Sequence, residues 1–255
     1  MIIQEKSAMK KISDIIYGEH EGAEILDVYL PDSAATSVFV YFHGGGLDHG
    51  DKEDAKFFAP YLCERGIAVV SANYRMYPDA EYPDFIYDSA RAVAWANAYM
   101  REKLGCEKLY VGGSSAGGYL SMMLCFDKTY LASAGIDNSI ISGYFHDAGQ
   151  PTAHFAVLKH RGVDPRRIIV DETAPLFHIG TETEYPRMRF IVSDDDMKNR
   201  YEQTVLVQST LDHFGYKNFD LVVMNGRHCK YVRQIDDNGE SVFGQMVFDF
   251  VSQDS

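Results

Sequence analysis

The stretch Gly113-Ser114-Ser115-Ala116-Gly117 constrains this chain more than any other. It follows Lys108-Leu109-Tyr110-Val111-Gly112, which reads as a strand, and runs into Gly118-Tyr119-Leu120-Ser121-Met122-Met123-Leu124, which reads as a helix. A chain that passes from strand to helix in so few residues must turn sharply. The residue at the apex, Ser115, is then held in a strained backbone conformation, and its neighbours two positions either way must be small. Gly113 and Gly117 stand at those positions. Such a turn lifts the Ser115 hydroxyl clear of the sheet. It also aims the first N–H groups of the helix at the same space, where negative charge is favoured. A Walker loop needs Gly-Lys-Ser/Thr, which Gly117-Gly118-Tyr119 does not supply, and no Gly-x-Gly-x-x-Gly fingerprint is present here. On this motif alone, a glycine-rich turn without chemistry remains the plain alternative.

The rest of the chain keeps the same rhythm. Residues 25–30 and 37–42 read as strands, 55–65 as a helix stopped by Gly66, and 67–72 as an apolar strand buried on both faces. Residues 84–104 read as a long amphipathic helix carrying Ile86, Ala90, Val93, Ala94 and Met100. Strands are expected at 139–144, 189–193 and 219–225, and helices at 199–214 and 240–251. This alternation predicts an α/β fold: a mostly parallel central sheet with helices on both faces, in one domain over residues 1–255. Residues 145–187 break the pattern, with no clean strand and with four of the nine histidines and four of the eight prolines.

A second glycine motif adds chemistry. The aromatic and β-branched strand Phe39-Val40-Tyr41-Phe42 runs directly into His43-Gly44-Gly45-Gly46. Successive glycines let backbone amides face a ligand oxygen with no side chain in the way. Asn73-Tyr74-Arg75-Met76-Tyr77-Pro78, Tyr82-Pro83-Asp84-Phe85 and Asp88 complete the set. Together these motifs resemble the α/β-hydrolase fold, most closely the serine esterases related to hormone-sensitive lipase and the small bacterial carboxylesterases. The resemblance covers most of the chain. It implies that residues 145–187 form a small cap over the active site, that Arg75 and Asp88 are structural, and that Gly44, Gly45 and Ala116 supply the N–H groups of an oxyanion hole.

A serine needs a base to take its proton, and the base needs a carboxylate to fix its tautomer. In this fold the chain order is Ser, acid, His. His228, in the turn Asn225-Gly226-Arg227-His228 after a late strand, fits that place. His43 is the rival base, beside the glycine run, and His213 falls inside a helix. The acid lies among Asp194-Asp195-Asp196. The family pattern Gly-x-x-Asp, with Ser193 in place of Gly, favours Asp196 over Asp194, with Asp195 third; the other two suit turn formation and helix capping. The expected catalytic set is therefore Ser115, His228 and Asp196. It performs acyl transfer on short-chain or aromatic acyl esters and requires no cofactor. An arylformamidase or small serine peptidase uses the same parts, and a non-catalytic small-molecule receptor on the same fold is the remote alternative.

Composition narrows the partners. A formal net charge of −13 argues against nucleic acid, and no stretch approaches the ~20 apolar residues needed to span a membrane. Met1-Ile2-Ile3-Gln4-Glu5-Lys6 lacks the basic start and apolar core of a secretory leader, so a cytoplasmic protein is expected. The partner is then a small-molecule ester, and a homo-oligomer is compatible with the sequence. The four cysteines form no Cys-x-x-Cys, and Cys229, beside His228, reads as a bystander. His146, His154, His160 and His178 match no metal-ligand spacing, so no metal is expected. Phe145, Phe155, Leu158, Leu176 and Phe177 either line an acyl or alcohol pocket or pack the cap onto the body.

Overall fold

The computed structural model describes residues 9–181 and 184–253. The residues on which the leader expectation rests, 1–6, lie outside them. In chain order the first strands are β1 (Lys10–Ile16), β2 (Ile25–Leu30) and β3 (Ser37–Phe42). A 3₁₀ turn over Lys52–Phe57 and helix α1 (Ala59–Cys63) lead to β4 (Ile67–Ala72) and α2 (Asp84–Tyr99). Then come β5 (Lys108–Ser114), α3 (Ala116–Phe126), α4 (Thr129–Ser133), β6 (Ile141–Asp147), α5 (Phe155–His160) and α6 (Pro175–His178). The chain closes with β7 (Arg187–Asp195), α7 (Arg200–His213), β8 (Phe219–Arg227) and α8 (Val242–Ser252).

The strands form one sheet in the order β1-β2-β4-β3-β5-β6-β7-β8. Pairing is antiparallel for β1 with β2 and β2 with β4, and parallel from β4 through to β8. Alternation along each strand sorts side chains to two cores. Val38, Val40 and Phe42 of β3 join Phe85 of α2 and Leu120 of α3 on one face. Phe39 and Tyr41 join Leu62 of α1 and Phe243 and Phe250 of α8 on the other. This is the α/β-hydrolase fold that the sequence predicts.

Several boundaries differ from the reading of the sequence. The helix expected at 55–65 is split, because Pro60 lacks an N–H and its ring clashes with the carbonyl four residues back. The long helix at 84–104 is α-helical only to Tyr99, and Met100–Leu104 close it as a π-helical turn ending at left-handed Gly105. The strand expected at 139–144 runs over 141–147, so Phe145, His146 and Asp147 belong to β6. Among the described residues between β6 and β7, 148–181 and 184–186, the regular elements are the short helices α5 and α6, and residues 145–147 and 187, counted with the cap in the reading of the sequence, belong to β6 and β7. Among the described residues, no helix is long and apolar enough to cross a membrane.

Candidate active site

The parallel strands bring the carboxyl ends of β3, β5, β6, β7 and β8 to one edge of the sheet, where open α/β sheets bind their ligands. Ser115 stands at the end of β5 with φ 56° and ψ −111°, a left-handed conformation that a serine adopts only under constraint. Its amide donates to the Asp147 carbonyl at 2.8 Å, and its own carbonyl accepts the Tyr119 amide at 3.0 Å. The small neighbours are required by contact. A Cβ on Gly117 would lie 1.9 Å from the Phe42 carbonyl oxygen, and one on Gly113 would lie 2.5 Å from the Gly117 carbonyl carbon.

His228 follows the last residue of β8; that strand is longer than expected and runs to Arg227. The His228 Nε2 lies 2.8 Å from Ser115 Oγ, and its Nδ1 lies 2.6 Å from Asp196 Oδ1. The Asp196 side chain is buried, and its carboxylate also accepts the amides of Met197 at 2.7 Å and Ser193 at 3.1 Å. Burial alone would raise the Asp196 carboxyl. The hydrogen bond and charge of His228, with the two amides, outweigh it and hold the group below the usual carboxylate range. Asp194 is turned away and accepts the Gly226 amide at 2.8 Å. Asp195 stands in solvent 4.0 Å from Arg227. The structure thus brings Ser115, His228 and Asp196 together and leaves Asp194 and Asp195 outside the constellation.

The glycine run forms the facing wall. Gly44, Gly45 and Gly46 line a cavity of about 860 Å³ together with Ser115 and His228. A methyl on Gly44 would come within 3.2 Å of the Ser115 Cβ. Gly45 has φ 118°, a conformation that residues with an L side chain rarely adopt. Ala116 is the first residue of α3, so its amide belongs to the positive end of that helix.

The other histidines take separate roles. His43 is fully buried, stacks on Tyr74 with ring centroids 4.5 Å apart, and donates from Nδ1 to the Gly44 carbonyl at 2.7 Å. Burial lowers its pKa, which keeps the ring neutral. His213 is exposed at the end of α7. His146 contacts Ser121 Oγ, His154 caps α5, His160 stacks on Tyr77, and His178 meets the Glu172 carbonyl. Among the described residues, no three His, Cys, Asp or Glu side chains are grouped to hold a metal. Arg75 grips the fully buried Asp88 through Nε and Nη2, at 2.9 and 2.8 Å. Of the five apolar residues with two readings, Phe155 lines the cavity and Phe145 packs in the core against Phe39 and Phe243.

Asp147 was not read from the sequence, and Cys229 was read there only as a bystander. Cys229 has φ 51° and places Sγ 3.7 Å from His228 Nε2, on the cavity wall; burial pushes its thiol up. Asp147 is fully buried beneath the turn, where its carboxylate takes the Tyr231 hydroxyl and leaves Oδ2 without a partner. The only hint in the sequence is the unusual pair His146-Asp147 at the end of an apolar strand.

The sequence model of the BD-FAE family matches residues 26–159. Kynurenine formamidase from Danio rerio is 33% identical over 121 residues, covering 47% of this chain and 40% of that protein. The carboxylic ester hydrolase LipN from Mycobacterium tuberculosis is 28% identical over 141 residues, 49% of this chain and 38% of its own length. The match thus spans about two fifths of either relative. Among solved structures, esterase B from Lactobacillus Rhamnosis superposes with a TM-score of 0.77 at 17% identity, over 96% of this chain and 85% of that one. That likeness is one of fold.

Proposed function

The chain belongs to the BD-FAE family, and on that premise we propose that it is a serine hydrolase that cleaves carboxylic esters through an acyl-enzyme. Ser115 Oγ attacks the ester carbonyl carbon while its proton passes to His228 Nε2. Asp196 holds the proton on Nδ1 and stabilises the imidazolium. The N–H groups of Gly44, Gly45 and Ala116 receive the oxyanion, and each such donor is typically worth on the order of 10²–10³ in rate. Collapse of the tetrahedral species breaks the bond to the alcohol oxygen, which takes the proton from Nε2. Water then repeats the sequence at the acyl carbon and releases the acid. The observation that carries this reading is the continuous chain from Ser115 Oγ through His228 to Asp196, at 2.8 and 2.6 Å.

Residues 148–186 serve as a small cap in this reading, and short or aromatic acyl groups are the proposed substrates. All four cysteines are free, which suits a reducing compartment, and the cytoplasm is the proposed location. Ser115→Ala should abolish turnover of p-nitrophenyl acetate and labelling by a fluorophosphonate while leaving the folded protein intact. Undiminished activity in that variant sinks the assignment, and a wild-type protein that is never labelled points to a receptor. The likeness to a kynurenine formamidase supports a second reading, hydrolysis of an N-formyl amide by the same groups. Rates on acetyl esters, feruloyl esters and N-formylkynurenine separate the two.

A further inference from the structure

A second cavity, about 440 Å³, adjoins the first and shares Phe155 and Met197 with it as a common wall. Its charge is opposite to that of the molecule. The chain has 37 Asp and Glu against 24 Lys and Arg, yet this cavity is lined by Arg166, Arg167, Lys198 and Arg200 and by no carboxylate. Asp164 neutralises Arg166 at 2.6 Å. Among the described residues, Arg167 and Lys198 pair with no carboxylate, and Arg200 is 4% exposed, held by the Ala148 carbonyl and by Gln150 rather than by an acid. The carboxylate next in sequence to Met197, Asp196, is engaged with His228. The wall also includes the first turn of α7, the positive end of a helix of 14 residues.

A cationic recess beside apolar Phe155, Ile168 and Met197 fits a ligand with an apolar body and an anionic end. We propose that this cavity binds the carboxylate of the substrate whose carbonyl is attacked at Ser115, so that the preferred esters carry a carboxylate beyond an apolar segment lying between Phe155 and Met197. The inference rests on the ester-hydrolase reading for its chemistry but not for its binding site. It opposes what net charge alone dictates, because a molecule at −13 repels anions unless a local field reverses the sign.

Two pairs of esters test it and tell acyl from alcohol placement. In the first, p-nitrophenyl hemiglutarate is compared with p-nitrophenyl pentanoate; in the second, 4-acetoxybenzoate with 4-methylphenyl acetate. After subtraction of spontaneous hydrolysis, kcat/KM is expected to favour the carboxylate roughly tenfold or more in one pair, and the preference should shrink at about 0.5 M salt. The double variant Arg167→Gln/Lys198→Gln should cut that ratio by roughly fivefold or more. Arg101→Gln/Lys103→Gln, which removes two charges elsewhere, should keep the wild-type ratio. Neutral esters preferred in both pairs overturn the proposal, as does an unchanged ratio in the first double variant.

A binding measurement keeps the test independent of turnover. Titration calorimetry of 3-phenylpropionate into the Ser115→Ala protein should show saturable binding that weakens when Arg167 and Lys198 become glutamine. No binding overturns the inference. Binding in a protein whose parent hydrolyses no ester and takes no fluorophosphonate overturns the ester-hydrolase reading and leaves the anion cavity standing.

Discussion

The phenol of Tyr231 donates to the buried carboxylate of Asp147 and so ties the segment after His228 to the strand end that supports Ser115. The same Asp147 accepts the Ser115 amide on its carbonyl. One residue therefore braces both Ser115 and the loop that carries His228, without touching the Ser115 hydroxyl or the imidazole.

That brace should be visible in the pH dependence of stability. Burial pushes the Asp147 carboxyl up to about 6, against the lowering effect of the nearby Ser114 and Tyr231 hydroxyls and of His228. In the unfolded chain an aspartate ionises near 3.9. Below about pH 4 both states keep the proton and the contribution to stability is whole. As pH rises towards 6 the unfolded carboxyl ionises first, and stability is lost until the folded one has ionised as well. Asp147→Asn cannot ionise. Its stability relative to wild type should therefore improve by about 1–3 kcal/mol between pH 4 and pH 7 in urea unfolding. A difference that does not change with pH counts against a protonated Asp147 in the folded protein.

The three consecutive aspartates predict three different outcomes. Asp196→Asn should lower kcat by roughly 10³–10⁴, because His228 loses the partner that fixes its tautomer. Asp194→Ala removes the acceptor of the Gly226 amide two residues before His228, and a cost of about tenfold is expected from misplacement of the ring. Asp195→Asn should stay within about twofold, since its side chain is in water. Steady-state kinetics on one ester reads all three. An Asp194 variant as damaged as the Asp196 variant would reassign the acid.

Much of this was legible in the sequence because the signals were local. β3 and β4 are almost wholly apolar, with only Ser37 and Ser71 polar, the turn at Ser115 is flanked by glycines that nothing larger can replace, and the order of Ser, Asp and His follows the strands that carry them. β1 was missed because it is an edge strand: Lys10-Lys11-Ile12-Ser13-Asp14-Ile15-Ile16 buries no residue fully, so it shows neither alternation nor an apolar run. The choice among the aspartates is set by which carboxylate meets the amides of Ser193 and Met197, a matter of turn geometry that composition does not encode. Asp147 was missed because its role depends on the end of β6 meeting the segment after β8, a contact between residues 84 apart in the chain.

The Arg75–Asp88 pair should matter to stability far more than to rate. Asp88 is fully buried, and its carboxylate is held by the Arg75 side chain, the Arg75 amide and Arg91. Removing one partner of a buried pair leaves an uncompensated charge, which typically costs about 3–5 kcal/mol. Because Arg91 still reaches Asp88, Arg75→Gln is expected to cost ~2–4 kcal/mol in urea unfolding, with kcat/KM of the surviving folded protein within about threefold. A loss under ~0.5 kcal/mol would mean that Arg91 alone satisfies the carboxylate.

The turn itself yields the sharpest contrast. A Cβ at Gly117 would sit 1.9 Å from the Phe42 carbonyl oxygen, and that obstacle is backbone, so no side chain can swing away to relieve it. Gly22, by comparison, has nothing within 4 Å of the same atom. Gly22→Ala should therefore change stability by less than ~0.5 kcal/mol, whereas Gly117→Ala should cost ~4 kcal/mol or more, or yield no folded protein. The strain has a direction that bears on catalysis. Phe42 is the last residue of β3 and leads through His43 into Gly44, so pushing α3 away from Phe42 also moves Ser115 away from the glycine wall. Any Gly117→Ala protein that does fold should lose at least about 10² in kcat on p-nitrophenyl acetate, since a displacement near 1 Å is enough to misalign nucleophile and oxyanion donors. Wild-type kcat in a folded Gly117→Ala protein would show that the close approach of β3 and α3 does not set the catalytic geometry.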